Sequence, residues 1–159
     1  MIDEFLVAVA ASPVATALKA SRVVYPLVNA AHILSLATLF GAIMALDLRL
    51  LGAFRIAPVQ PLAVVLPKLA AAGLAAAVMT GALLFMVQPL DYAANPAFLT
   101  KIGLVGIGTL HAGFVHATGH WQRVVDEGHL SGSIRISAAL SMTIWMAAIV
   151  AGRFIAFVG

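Results

Sequence analysis

The chain has 159 residues, 63% of them hydrophobic and 9% charged, with nine Lys/Arg against six Asp/Glu and a formal net charge of +3. A soluble domain carries about 25% charged residues, and one of this size lacks the interior to hide so much apolar surface, so a water-soluble globule is excluded. The surplus of cations is too thin for a nucleic-acid footprint, and the lack of cysteine excludes disulfides, thiolate metal sites and covalently attached haem.

Residues 1–20 come first. Phe5, Leu6, Val9, Val14 and Leu18 give a partly amphipathic pattern, broken at Ser12-Pro13. Asp3 and Glu4 stand where a cleavable signal would be basic, and they leave too few apolar residues for a span. An interfacial N-terminal helix is expected.

Residues 21–159 read as a single four-helix transmembrane domain, because four apolar runs reach the ~20 residues that a bilayer requires. They cover about 22–49, 68–88, 98–121 and 135–157. Pro67 stands where a first-turn proline is tolerated. Pro89, Asp91, Asn95 and Pro96 mark one connection, and Asp126, Glu127, Gly128 and Gly132 the next. The predicted fold is therefore all-α, an integral membrane bundle with both termini on one side. Arg49, Arg55, Lys68, Arg123 and Arg135 lie at one face, and Lys19, Arg22, Lys101 and Arg153 at the other. The margin of one slightly favours the first face as cytoplasmic.

The residues that cost energy in lipid carry the functional reading. His32 lies ten residues past Arg22, and His111 ten past Lys101, on two spans of the same direction. Equal counts place both rings about 15 Å below one face, where two imidazoles could clamp a haem b axially. Tyr25 and Asn29 share the stripe of His32 and could hydrogen-bond an imidazole or a propionate. Arg22, Lys101 and Arg153 would meet propionates, Trp145 reaches a similar depth, and Gly103, Gly106 and Gly108 make room for a flat ring. The plainer reading gives each histidine a hydrogen bond, with Ser137 and Ser141 available, and makes the glycines and the Ser133/Ser137/Ser141 repeat packing seams. Met142 and Met146 read as core filling or as a substitute ligand.

A weaker site joins His116 and His120, four apart on one helical face, with His129 in the following loop; such a set suits copper or another metal. Asp47, in the run Asp47-Leu48-Arg49, reads as part of a boundary charge cluster that fixes helix depth.

The stretches AHILSLATLFGAIMALDLRLLG, NPAFLTKIGL and AGRFIAFVG resemble an uncharacterised family of small four-helix bacterial inner-membrane proteins. That resemblance implies four spans and a multi-pass place in the bacterial inner membrane, and no activity. The inward histidines give a looser similarity to four-helix b-type cytochromes and to copper-resistance membrane proteins, although the second and fourth spans carry no histidine. The leading expectation is a b-type haem protein passing electrons between a quinol or partner dehydrogenase and another carrier. Beside it stand a cofactor-free accessory or assembly subunit, with oligomer formation open, and a metal-handling protein. An electron carrier or subunit fits better than a stand-alone enzyme.

Overall fold

The computed structural model describes residues 1–158, and these are all-helical. The elements are α1 (Ile2–Ala10), α2 (Pro13–Ala20), α3 (Val24–Leu51), α4 (Val59–Phe85), α5 (Pro89–Ala94), α6 (Pro96–His116), α7 (Gly119–Glu127) and α8 (Gly132–Phe154). Four of them, α3, α4, α6 and α8, are long and apolar enough to cross a membrane, which makes the chain a multi-pass membrane protein.

Several boundaries differ from the sequence expectation, each for a local reason. The expected single N-terminal helix is two, because Pro13 cannot continue α1; Ser12 instead caps α2, its Oγ accepting from Ala15 N at 3.3 Å. The second span begins at Val59 rather than at Lys68, and Pro67 lies inside it. A proline within a span is tolerated where neighbouring helices absorb the lost backbone bond. The third span stops at His116 rather than at Trp121, and Gly119–Glu127 becomes the separate helix α7.

Helix ends follow backbone chemistry. Gly52 takes φ 106° after α3, and the Ala53 N–H reaches back to Leu48 O at 2.9 Å; this left-handed close favours glycine. Within the spans, Ser35, Thr38, Thr80, Thr100, Thr109 and Thr143 each donate to the carbonyl four residues earlier. Local bonding of this kind lets a hydroxyl sit where no water is available.

The spans form an arc rather than a closed square. Helix α3 packs along α4 on one side and α8 on the other, α6 packs on α8, and α4 and α6 scarcely touch. Close approach along α3/α4 depends on Gly73, where an added Cβ would lie 2.7 Å from the Leu39 nitrogen. The principal apolar cluster sits at one end, where Trp121 and Val124 of α7 cover Leu46, Leu50, Val59, Ala63, Ile134 and Ala138. At the opposite end α1 packs on α5, and Asn95 ties the chain together. Its Oδ1 accepts from Ala97 N and Phe98 N, and its Nδ2 donates to Ile155 O and Val158 O. Both terminal segments therefore lie at the same end of the bundle.

Candidate functional site: a cleft between the spanning helices

The arc of four helices leaves a cleft of about 370 Å³, lined from α3, α4, α6, α7 and α8. Its wall is almost entirely aliphatic and aromatic, with Leu39, Leu46, Leu66, Leu74, Trp121 and Trp145 among its members. The polar groups are few: Asp47, Thr109, His111, His116, Ser137 and Ser141.

Asp47 is the residue that the sequence reading misplaced. The sequence reads it as part of a boundary charge cluster that fixes helix depth, and the structure buries it to 5% exposure near the end of α3. Among the described residues, its Oδ2 is the buried side-chain oxygen or nitrogen without a hydrogen-bond partner. Ser141 faces the carboxylate from α8. Arg49, two residues on, is directed elsewhere; its Nε donates to Ala57 O at 2.7 Å and pins the α3–α4 connection. A helix boundary need not bury its acid, so depth setting does not account for Asp47.

His111 also lines the cleft. Its Nε2 lies 3.2 Å from the Ser137 carbonyl oxygen and 3.5 Å from the Ser137 hydroxyl. A carbonyl only accepts, so Nε2 carries a proton in this contact. Ser137 of α8 is the histidine's partner, Ser141 lines the same cleft, and Ser133 is exposed with its Oγ 2.9 Å from Ser131 Oγ.

His32 is placed quite differently. It does not line the cleft, and its Nδ1 meets the Thr80 hydroxyl at 2.9 Å across the α3/α4 seam. The single Thr80 proton goes to Ala76 O at 2.7 Å, so the imidazole is the donor in that pair. Gly81 makes room for the ring, since a Cβ there would stand 3.1 Å from His32 Cε1.

The two histidines are thus not brought together. The equal count from Arg22 and Lys101 assumed that both cations mark helix starts, and they do not. His32 lies eight residues past Val24, the start of α3, whereas His111 lies fifteen past Pro96, the start of α6. At 1.5 Å per residue the two depths within their helices differ by about 10 Å. Lys101 is already inside α6, its stem packed on Gly152 of α8. This arrangement, with His32 bonded to Thr80 of α4 and His111 to Ser137 of α8, does not fit a haem held between His32 and His111.

The remaining expected site residues scatter at the terminal end. Arg22 and Asn29 are exposed, and the Arg153 guanidinium lies 4.7 Å from the Phe157 ring centroid. Tyr25 stands near Tyr92, whose ring stacks on Phe85 and packs tilted against Phe98. Burial, with Tyr25 and Asp91 nearby, pushes the Tyr92 phenol above its ordinary value. Trp145 alone of this group joins the cleft, its ring lying over Gly108. Gly103 and Gly106 meet no neighbouring atoms where a Cβ would be added, so neither shapes an internal slot.

The metal set His116, His120 and His129 also comes apart, because α6 ends between the first two. His116 Nδ1 bonds its own Ala112 O at 2.7 Å and its ring packs on Trp121. His120 Nδ1 accepts from Arg123 at 2.9 Å, and His129 lies beyond α7. Among the described residues no three His, Asp or Glu side chains gather as they would around a metal ion. Set against known protein families, characterised proteins and solved structures, the chain has no match.

Proposed function

We propose that this chain is a multi-pass protein of the bacterial inner membrane that binds a lipid-soluble small molecule in the cleft between its spanning helices. The observation that carries this reading is the makeup of the cleft: about 370 Å³ of apolar wall with a few convergent polar groups, Asp47, His111, Ser137 and Ser141. Sites for small molecules have this volume and this lining. The sides of the arc give a molecule dissolved in the bilayer a way in, while α7 covers the end. Helices α1 and α2 would lie along the membrane surface, with the exposed Phe5, Val7 and Val14 turned to lipid. Passage of electrons through a haem between His32 and His111, the leading expectation from sequence, gains nothing from these positions.

Both tryptophans of the chain line the cleft, so their fluorescence reports its occupancy. Protein in lipid nanodiscs titrated with 1-decanol should give saturable quenching. Gly113→Phe should weaken it at least fivefold, because Gly113 lines the cleft and a Cβ added there meets no atom within 4 Å. Quenching that rises linearly in both proteins, as simple partitioning would, defeats the reading.

A second reading, an accessory subunit of a larger membrane complex, is favoured by α6, the least covered of the four spans. Its Gly103 and Gly106 present open backbone on the outer face, and close helix contacts in membranes use such residues. Crosslinking from Gly103→Cys in native membranes tests it, a defined heterologous adduct being the expected result.

A further inference from the structure

We infer that the ligand of this cleft carries a positively charged head, an amine or quaternary ammonium on an apolar body, held by Asp47. The inference rests on the cleft reading above and adds the chemistry of the head group.

The starting point is that Asp47 is the one carboxylate within the four spanning helices. Asp3 and Glu4 belong to α1, Asp91 to α5, and Asp126 and Glu127 to α7. A buried carboxylate is costly unless a counter-charge or a full set of donors meets it, and this one lacks both. Among the described residues the ion pair formed is that of the Met1 amino group with Glu4, far from Asp47 in the chain. No lysine or arginine lines the cleft, and Arg49 has turned away to Ala57. The imidazoles on the same wall, His111 and His116, have each committed a ring nitrogen to a backbone carbonyl. Only the Ser141 hydroxyl faces the acid. Rotation about the Asp47 side chain exchanges its two oxygens, so a group at the cleft wall can engage either one.

A group that satisfies this carboxylate without protonating it comes from outside the protein, and its chemistry is constrained. An anionic head would be repelled. A neutral head would leave the charge uncompensated. A cationic head meets the carboxylate in a cleft that Trp121 and Trp145 also line, and indole rings attract cations when desolvated. The aliphatic wall then takes the apolar body.

The test compares three probes with the same ten-carbon chain, decyltrimethylammonium, 1-decanol and decanoate, by tryptophan quenching in nanodiscs of zwitterionic lipid. In the wild type the ammonium should half-saturate at a concentration at least tenfold below the other two. Asp47→Asn should bring the ammonium to the level of decanol, and Asp47→Glu should keep most of the preference. Equal saturation by ammonium and decanol in the wild type, tighter binding of decanoate, or a preference that survives in Asp47→Asn each overturns the cationic head while leaving the cleft reading intact. Saturation by none of the three overturns both. Should Asp47→Asn fail to assemble, the wild-type ranking of cation, alcohol and acid still decides.

Discussion

His32 and His111 are both histidines on spans that run in the same direction, yet the structure treats them in opposite ways. His32 lies in a closed seam: Gly73 and Gly81 bring α4 against α3, and Thr80 meets the imidazole at 2.9 Å. His111 lies on an open wall, its Nε2 held by Ser137 and the rest of its surroundings given to the cleft. In the seam, His32 Nδ1 and the Ser35 and Thr80 hydroxyls each have a protein partner, and Gly73 and Gly81 let the helices close on them. In the cleft, space remains and the Asp47 carboxylate is left short of partners. A polar residue in a membrane is therefore informative through what satisfies it. A satisfied one supports the fold, and an unsatisfied one beside free volume marks a place for something else.

The largest effect should come from disturbing the seam. At Gly73 a Cβ would meet the Leu39 nitrogen at 2.7 Å, with Leu39 Cα and Ser35 O both at 3.1 Å. These are backbone atoms that cannot rotate away, so the helices must part. Overpacking of this kind costs about 1–3 kcal/mol for a small group. Gly73→Ala should lose about that much in denaturant-induced unfolding in detergent, and Gly73→Leu should fail to form the α3/α4 pair. Unchanged stability in Gly73→Ala would mean that the seam is not closed as described.

The opposite sign is expected at Asp47. A buried polar group without a partner costs about 1–3 kcal/mol, and the adjoining cleft has room for a larger side chain. Asp47→Leu should therefore unfold at a higher denaturant concentration than the wild type, while losing any discrimination for charged probes. Natural sequences keep such costly groups where function needs them. A loss of stability in Asp47→Leu would show that the carboxylate supports the fold and would merge the two regions into one kind of packing.

The histidines themselves separate the two regions next. His32→Ala removes an interhelical hydrogen bond and leaves a hole behind Gly81, with an expected cost of about 0.6–2 kcal/mol. His111→Ala should cost less, since its ring borders space already open, and should alter probe quenching where His32→Ala does not. Absorption spectroscopy of protein purified from haem-replete cells adds a sharper division. The present positions predict no six-coordinate low-spin spectrum. A Soret band lost in both alanine variants would require both rings to leave Thr80 and Ser137, and would break the comparison.

Much of this fold was legible in the sequence, and the reasons for the exceptions are specific. The four spans follow from the length and spacing of the apolar runs, which lipid enforces regardless of how helices pack. The start at Val59 was hidden because Pro67 reads as a first-turn proline, a start signal that packing within a span can override. The break after His116 was hidden because Val115-His116-Ala117 contains no turn residue, and the following Gly119 alone is a weak mark. The burial of Asp47 was hidden for a deeper reason. Its residue number fixes its depth and phase on α3, but which helix stands opposite depends on the arc, and no periodicity within α3 encodes that. The equal depth of the histidine pair rested on one assumption, that Lys101 sits at a helix start, and Lys101 lies inside α6. A lysine stem can run along apolar surface from inside a span, so a cation in sequence is a poor ruler of depth.

The smallest effect expected belongs to the glycines of α6, and it sharpens the contrast between shaped and unshaped space. By sequence, Gly103, Gly106 and Gly108 looked alike, each able to clear a slot for a flat ring. In the structure they divide. Gly108 is buried, and a Cβ there would lie 3.0 Å from two Trp145 ring carbons and 3.3 Å from Ile144 Cγ2. Gly106 meets nothing within 4 Å. An alanine at an open helical position gains about 0.8–1.0 kcal/mol of helix propensity over glycine when nothing opposes it, a value measured in water that serves in lipid only for its sign. Gly106→Ala should therefore leave stability unchanged or raise it slightly, and should leave probe binding as it is. Gly108→Ala must displace the Trp145 ring, a side chain that can give by a few tenths of an ångström, and should shift the tryptophan emission with a modest loss of stability. Equal behaviour of the two variants would indicate that Trp145 is not seated on α6. A marked loss in Gly106→Ala would point to a partner packed on that outer face, as the subunit reading requires.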